Sequence, residues 1–309
     1  MNINPDSKVL VQGIIEPIGS AYAARMKAIG TQVVAGVSPG HGGKTVEDIP
    51  TFDMVEEALV KVGQVDVTII FSSPYWVMDA AKEAIAAGIR QIIIVTEGVP
   101  PLDMVELVRK AEATETLVVG PNTPGIIMPG KILLGTHPQE FYTPGSVGII
   151  SRSGTLTYEI AWELTKAGLG QSISVGIGGD TIVGSSFSQW LQVLDEDENT
   201  EAIVVLGEIG GSGEEAAAQY ISEAIDKPVV AYVAGRYIPE GKRLGSASNL
   251  VVPQPKSRKS DKAGDSAAAP ESAQSKIAAF QKAGVPVADR PSEIANILKK
   301  ALKQKTKKK

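Results

Sequence analysis

Ser151-Arg152-Ser153-Gly154-Thr155-Leu156-Thr157-Tyr158-Glu159 has the pattern of a strand end passing into a helix: small hydroxylated residues, one glycine, then an amphipathic run. The first amides of a helix lack intrahelical partners and lie at the positive end of its dipole. Ser153, Gly154 and Thr155 therefore predict a site for an anion, a phosphate or a carboxylate. Ser153 reads equally as an ordinary N-cap. It does not read as a hydrolase nucleophile, which would need a histidine base. The chain has only two histidines, His41 and His137, and neither is placed to serve it. Gly178-Gly179-Asp180 and Gly207-Glu208-Ile209-Gly210-Gly211-Ser212 each follow an apolar run. Open α/β sheets bind ligands at such strand ends. Glu208, set among glycines, is suited to orient or charge-stabilise a cation such as an imidazolium. The alternative for both segments is simple turn chemistry.

Near the N-terminus, Gly13-Ile14-Ile15-Glu16-Pro17-Ile18-Gly19 occupies the place of a phosphate-cradling turn. Its centre argues against that use. Glu16 puts a carboxylate where a phosphate would sit, and Pro17 has no N–H to offer. Taken alone, the loop reads more readily as a strand–helix turn. An acid that would grip a ribose is absent after the second strand, which ends Ser38-Pro39-Gly40, so an NAD enzyme is not expected. In Pro39-Gly40-His41-Gly42-Gly43, His41 is either a contact to an anionic ligand or an exposed loop histidine.

These residues need a scaffold, and the alternation of apolar runs supplies one. Residues 8–11, 31–37, 67–71, 91–95 and 116–119 read as strands; 19–29, 54–62, 77–87 and 103–113 read as the helices between them. A second series has strands at 145–150, 172–176, 202–206, 229–233 and 286–288. Its helices fall at 155–167, 185–196, 214–225 and 275–283, with a last helix at 291–300 capped by Ser292. Strand–helix alternation implies βαβ units and parallel sheets, so an α/β fold with two doubly wound halves is expected. Pro121, Pro124, Pro129, Pro138 and Pro144 leave little room for regular elements between them. This places a first domain at 1–125, a Pro-rich junction at 126–144 and a second domain at 145–309. Residues 253–274 lack an apolar period and read as a disordered insertion.

The chain has 309 residues, 43% hydrophobic and 21% charged, with net charge −5 and no cysteine. Thiol nucleophiles, thiolate metal sites and disulfides are excluded, and no metal site is expected. No apolar run is long enough for a membrane span and no secretory signal pattern opens the chain, so a soluble cytoplasmic protein is expected. Lys299, Lys300, Lys303, Lys305, Lys307, Lys308 and Lys309 crowd the C-terminus and leave the body more acidic than the whole. That tail reads as a solvated helix end. A nucleic-acid partner is not expected, because the acidic body repels a phosphate backbone.

In order and spacing, Gly120-Pro121-Asn122-Thr123-Pro124-Gly125, the run at 151–159, Val175-Gly176-Ile177-Gly178-Gly179-Asp180 and Gly207-Glu208-Ile209-Gly210-Gly211 resemble the alpha subunit of succinyl-CoA synthetase (succinate–CoA ligase). The resemblance covers nearly the whole chain. It implies an N-terminal Rossmann-like CoA-binding domain and a C-terminal flavodoxin-like domain, both with mainly parallel sheets. It also implies a β partner of ATP-grasp type, in a heterodimer or heterotetramer, through which ATP or GTP and Mg would enter. The family reaction makes an acyl phosphate, relays its phosphoryl group through a histidine and forms a CoA thioester. By position, Val95, Thr96 and Glu97 resemble the family's CoA-contacting Ile-Thr-Glu. Asn122 lies beside the thiol end, and Gly13, Ile15, Glu16, Pro17, Ile18, Gly19 and His41 occupy the CoA loops. Tyr158 matches a substrate-associated tyrosine. Ser153, Gly154 and Thr155 match the helix start that holds the phosphohistidine, with Asp180 nearby. Glu208 matches the glutamate that bonds that histidine.

The departures bear on activity. The family's Gly-Lys-Arg-Met-Gly-His stands here as Gly241-Lys242-Arg243-Leu244-Gly245-Ser246, so the phosphoacceptor is a serine. The glycine-rich loop after it is replaced, the first CoA loop has Glu16 for its central glycine, and His41 replaces a loop lysine. A phosphohistidine transfers its phosphoryl group in both directions, whereas a phosphoserine is a low-energy ester and a sink. Serine also needs a base, and Glu208 is placed to orient. The expected function is thus a catalytically impaired paralogue that binds CoA, an acyl-CoA or a partner. The alternative is an active ligase subunit using a histidine-independent route or a partner-supplied residue.

Overall fold

The computed structural model describes residues 3–237 and 272–308. Ser246, and the expected disordered insertion up to residue 271, lie outside the described residues.

The first half contains β1 (Lys8–Gln12), α1 (Pro17–Ile29), β2 (Gln32–Val37), β3 (Thr45–Val46), β4 (Ile49–Phe52), α2 (Val55–Val62) and β5 (Val67–Ile70). It continues through α3 (Val77–Ala86), β6 (Gln91–Ile94), α4 (Pro101–Ala113) and β7 (Leu117–Val119). Its sheet has the order β3-β4-β2-β1-β5-β6-β7 and is parallel except for β3. Strands covered on both faces need continuous apolar runs, which is why Val9, Leu10 and Val11, or Ile92, Ile93 and Ile94, are all buried.

The second half contains β8 (Gly125–Met128), β9 (Ile132–Gly135), β10 (Pro144–Ser151), α5 (Gly154–Lys166), β11 (Gln171–Gly176), α6 (Phe187–Glu196) and β12 (Ala202–Gly207). α7 (Gly213–Ala224), β13 (Val229–Val233), α8 (Ala273–Lys282) and α9 (Ile294–Lys308) follow. Its sheet order is β13-β12-β10-β11-β8-β9. The order steps outward in opposite directions from β1 in one sheet and from β10 in the other, so each has a switch point, between β1 and β5 and between β10 and β12. One core cluster runs through both halves, from Val9 and Met26 to Ile150 and Trp190.

Four expectations need correction. Residues 126–144 hold regular structure: β8 and β9 form a hairpin about Pro129-Gly130 that extends the second sheet antiparallel to β11. The prolines flank these strands without entering them, so no ladder donor is lost. Between the expected second strand and second helix, where no element is expected, lie two further strands, β3 and β4. The expected strand at 286–288 is a single bridge, Ala231 to Val287. Ser292 does not cap the last helix, because Pro291–Glu293 forms a 3-10 turn that runs into α9. In addition, α8 begins at Ala273, so the expected insertion ends slightly earlier than 274.

Candidate functional site

The second sheet's switch point carries a polar cavity of about 290 Å³. Ser151 ends β10, and the chain turns at once into α5 with Ser153 as N-cap, its Oγ accepting the Leu156 N–H at 3.4 Å. The Ser153 N–H is spent on Ser151 Oγ at 3.0 Å. Gly154 and Thr155 line the cavity and supply the free first-turn amides of α5. Glu208, one residue beyond β12, faces the same space. From the first half come Val95, just past β6, and Asn122, in the loop after β7. Asn122 adopts a left-handed φ of 56°, which asparagine tolerates better than most residues. Three hydrogen bonds hold it there: its N–H donates to Thr96 O at 2.8 Å, its O accepts from Gly179 N–H at 3.1 Å, and Nδ2 donates to Asp180 Oδ1 at 3.0 Å.

Charge in the cavity is arranged around Arg152, whose side chain is only 8% exposed. Its guanidinium donates to Gly210 O at 3.0 Å and Asp180 O at 3.3 Å, and Nε has no partner among the described residues. Burial pushes the Glu208 carboxyl above its ordinary value, against the pull of Arg152. Behind the Glu208 loop lies a fully buried ion pair. Lys276 of α8 donates to the Glu214 carboxylate and to Gly211 O, the latter at 2.7 Å. Glu214 Oε1 accepts the Glu208 N–H at 3.0 Å and lies 3.9 Å from Arg152 Nη1. Lys276 thereby fixes the loop that presents Glu208.

Neither histidine enters the cavity freely. His137 is buried, and burial lowers its pKa to about 4, so the ring is neutral. Gly125 O can only accept, so Nε2 carries the proton and donates to it at 3.1 Å, while Nδ1 accepts the Tyr142 O–H at 2.8 Å. The ring edge packs against Tyr158, 5.8 Å between centroids, so His137 helps hold the tyrosine that lines the cavity. Burial also raises the Tyr158 phenol. His41 lies in an exposed loop of the first half, with Nδ1 3.0 Å from Lys44 Nζ.

The first sheet's switch point carries a second cleft, about 330 Å³, lined by Gly13, Ile15, Glu16, Ser38, Pro39, Ser72, Trp76, Asp79 and Glu83 among others. The strand–helix turn is tight: a Cβ on Gly19 would lie 2.2 Å from Gly13 O, and one on Gly13, at φ 76°, 2.7 Å from Ser72 N. The Glu16 N–H is spent on Gly13 O at 3.1 Å, and the Ile15 N–H lies 3.5 Å from Ser38 Oγ. These two amides are therefore not left for a phosphate.

The structure thus gathers Val95, Asn122, Ser153, Gly154, Thr155, Tyr158 and Glu208 around one cavity, with Asp180 bonded to its rim, and Gly13, Ile15 and Glu16 around the other. Pro17, Ile18 and Gly19 begin α1 and do not line the cleft; nor do His41, Thr96 or Glu97. Thr96 instead donates to Ser72 O at 2.7 Å and ties the two regions together. Arg152 and Thr136 also line the cavity and Glu214 and Lys276 stand behind it, and the sequence pattern singles out none of them. Arg152 lies inside the run at 151–159, while nothing in the sequence marks Lys276 as a partner of Glu214.

A family model described as a CoA binding domain matches residues 4–98, and one described as CoA-ligase matches residues 150–270. The succinate–CoA ligase [ADP-forming] subunit alpha of Aquifex aeolicus is 43% identical over 303 residues, which is 97% of this chain and 94% of the relative. Subunit alpha 2 of the same enzyme from Archaeoglobus fulgidus is 43% identical over 300 residues, covering 97% and 99%. Among solved structures, ATP citrate lyase from Methanothrix soehngenii, in complex with citrate and coenzyme A, superposes with a TM-score of 0.84 at 23% identity. The match covers 100% of this chain but 51% of that one, and at that identity the likeness is one of fold.

Proposed function

The chain belongs to the succinate–CoA ligase alpha-subunit family, and from that premise we propose that it is a CoA-binding member that does not run the phosphohistidine relay. The observation that carries this reading is the fate of its two histidines. His137 is sealed with both ring nitrogens engaged, and His41 belongs to a loop of the first half, away from the cavity. Ser246 stands where the resemblance puts the phosphoacceptor. Its hydroxyl would need a base, and the phosphate ester it formed could not be passed on to a carboxylate. Glu208, its carboxyl raised by burial, orients and does not substitute for the missing imidazole.

The geometry otherwise suits an elongated cofactor. The cleft at β1 and β5 and the cavity beside the loop after β7 lie along one edge of the first sheet, two to three strand spacings or roughly 10–14 Å apart. CoA would lie with its nucleotide at the first and its thiol at the second, beside the anion-binding amides of Gly154 and Thr155. ATP or GTP and Mg belong to an ATP-grasp β partner. Together the two chains would respond to CoA or an acyl-CoA without phosphoryl transfer through this subunit.

The test is incubation with a succinate–CoA ligase β subunit and radiolabelled ATP, followed by a search for acid-labile phosphate. The wild type should carry none, and Ser246→His should carry some, because the anion site and Glu208 stand ready to hold the phosphorylated ring. Robust acid-dependent thioester synthesis by the unmodified protein, unaffected by Ser246→Ala, would overturn the reading in favour of a histidine-independent ligase.

A further inference from the structure

The cleft at β1 and β5 contains a feature that the CoA reading does not itself require. Trp76 lines it while 64% exposed, an unusual degree of exposure for an indole, in a small cleft whose lining is mostly apolar with carboxylates among it. Its backbone is fixed by the local fold. Pro74–Trp76 is a 3-10 turn with the Trp76 N–H donating to Ser73 O at 2.9 Å, and it runs directly into α3. The charged groups of the cleft are Glu16, Asp79 and Glu83, and no lysine or arginine lines it. Burial pushes the Glu83 carboxyl up, and Glu83 is tied to the Val55 N–H at 2.7 Å. Such a space repels phosphates and admits a neutral aromatic ring.

We propose that Trp76 is the platform on which the purine base of the bound CoA stacks, with the cofactor's phosphates kept outside the carboxylate-lined cleft. Every base presents a π-face, and an exposed indole, with only two side-chain torsions, loses little freedom on meeting it. The inference rests on the reading of the chain as CoA-binding and adds the residue that selects the nucleotide end. Tyr75 next to it is 78% exposed but does not line the cleft, which makes it an internal control.

The test is calorimetry of CoA and of 4′-phosphopantetheine, which lacks the base, together with tryptophan emission. Wild type should bind CoA with quenched emission. Trp76→Ala should weaken CoA about tenfold while leaving phosphopantetheine unchanged. Trp76→Phe should bind CoA within about threefold of wild type and lose the quenching, and Tyr75→Ala should match wild type. Wild-type affinity for CoA in Trp76→Ala, or equal loss of both ligands, would overturn the stacking role while CoA binding itself stood. Failure of the wild type to bind CoA at all would refute the underlying reading, and the stacking with it.

Discussion

Replacing Lys276 with methionine should damage the second half more than any surface change of similar size. Lys276 and Glu214 are both 0% exposed, so the substitution leaves a carboxylate buried without its cation. Removing one partner of a buried pair costs about 3–5 kcal/mol. Two contacts survive at Glu214 Oε1, the Glu208 N–H at 3.0 Å and Arg152 Nη1 at 3.9 Å, so the lower end, about 3 kcal/mol, is the expected loss. For a domain of this size that is roughly 6–12 °C in Tm. Urea unfolding followed by circular dichroism and by emission from Trp190, buried on α6 in the same half, would measure it. The double variant Lys276→Met/Glu214→Gln should recover at least half of the loss. The glutamine oxygen can keep the Glu208 N–H, and its amide can donate to Gly211 O, which lost the lysine. A single variant within about 1 kcal/mol of wild type, or a double variant no better than the single, would refute the assignment of this pair as a buried clamp on the Glu208 loop.

Other perturbations give separate readouts. Glu16→Gly should tighten CoA binding in calorimetry, because it removes a carboxylate from the cofactor cleft; weaker binding would show that Glu16 itself contacts the ligand. His137 is held neutral with its pKa near 4, below its unfolded value of about 6.5. A depressed histidine pKa contributes stability that is complete above about pH 6.5 and is lost as pH falls towards 4. His137→Gln, neutral at every pH, should flatten the stability profile over that window in urea melts, and an unchanged acid limb would contradict the assigned protonation state.

Much of the fold is legible from short-range pattern. Doubly covered strands such as Ile203, Val204, Val205 and Leu206 must be continuous apolar runs, so they declare themselves, as do the helices that alternate with them. The β8–β9 hairpin is less legible because its prolines dominate the composition, although Pro129-Gly130 between two apolar runs is itself a hairpin signal. In the site, the turn at Ser153, Gly154 and Thr155 into the start of α5 follows from local chemistry, since helix amides at a strand end lie within a few residues of one another.

What the sequence by itself determined is the alternation of elements, the absence of thiol chemistry, the scarcity of histidine and the identity of Ser246. Each is a property of residue types and near neighbours. Tertiary structure alone decided which of those residues meet. Lys276 and Glu214 are 62 residues apart, Asn122 and Asp180 are 58 apart, and their bonds depend on strand order. It also decided that His137 is neutral and sealed against Tyr158, and that Arg152 is buried beside Glu208. Burial and long-range pairing set protonation and position, and neither is encoded in the spacing of residues along the chain.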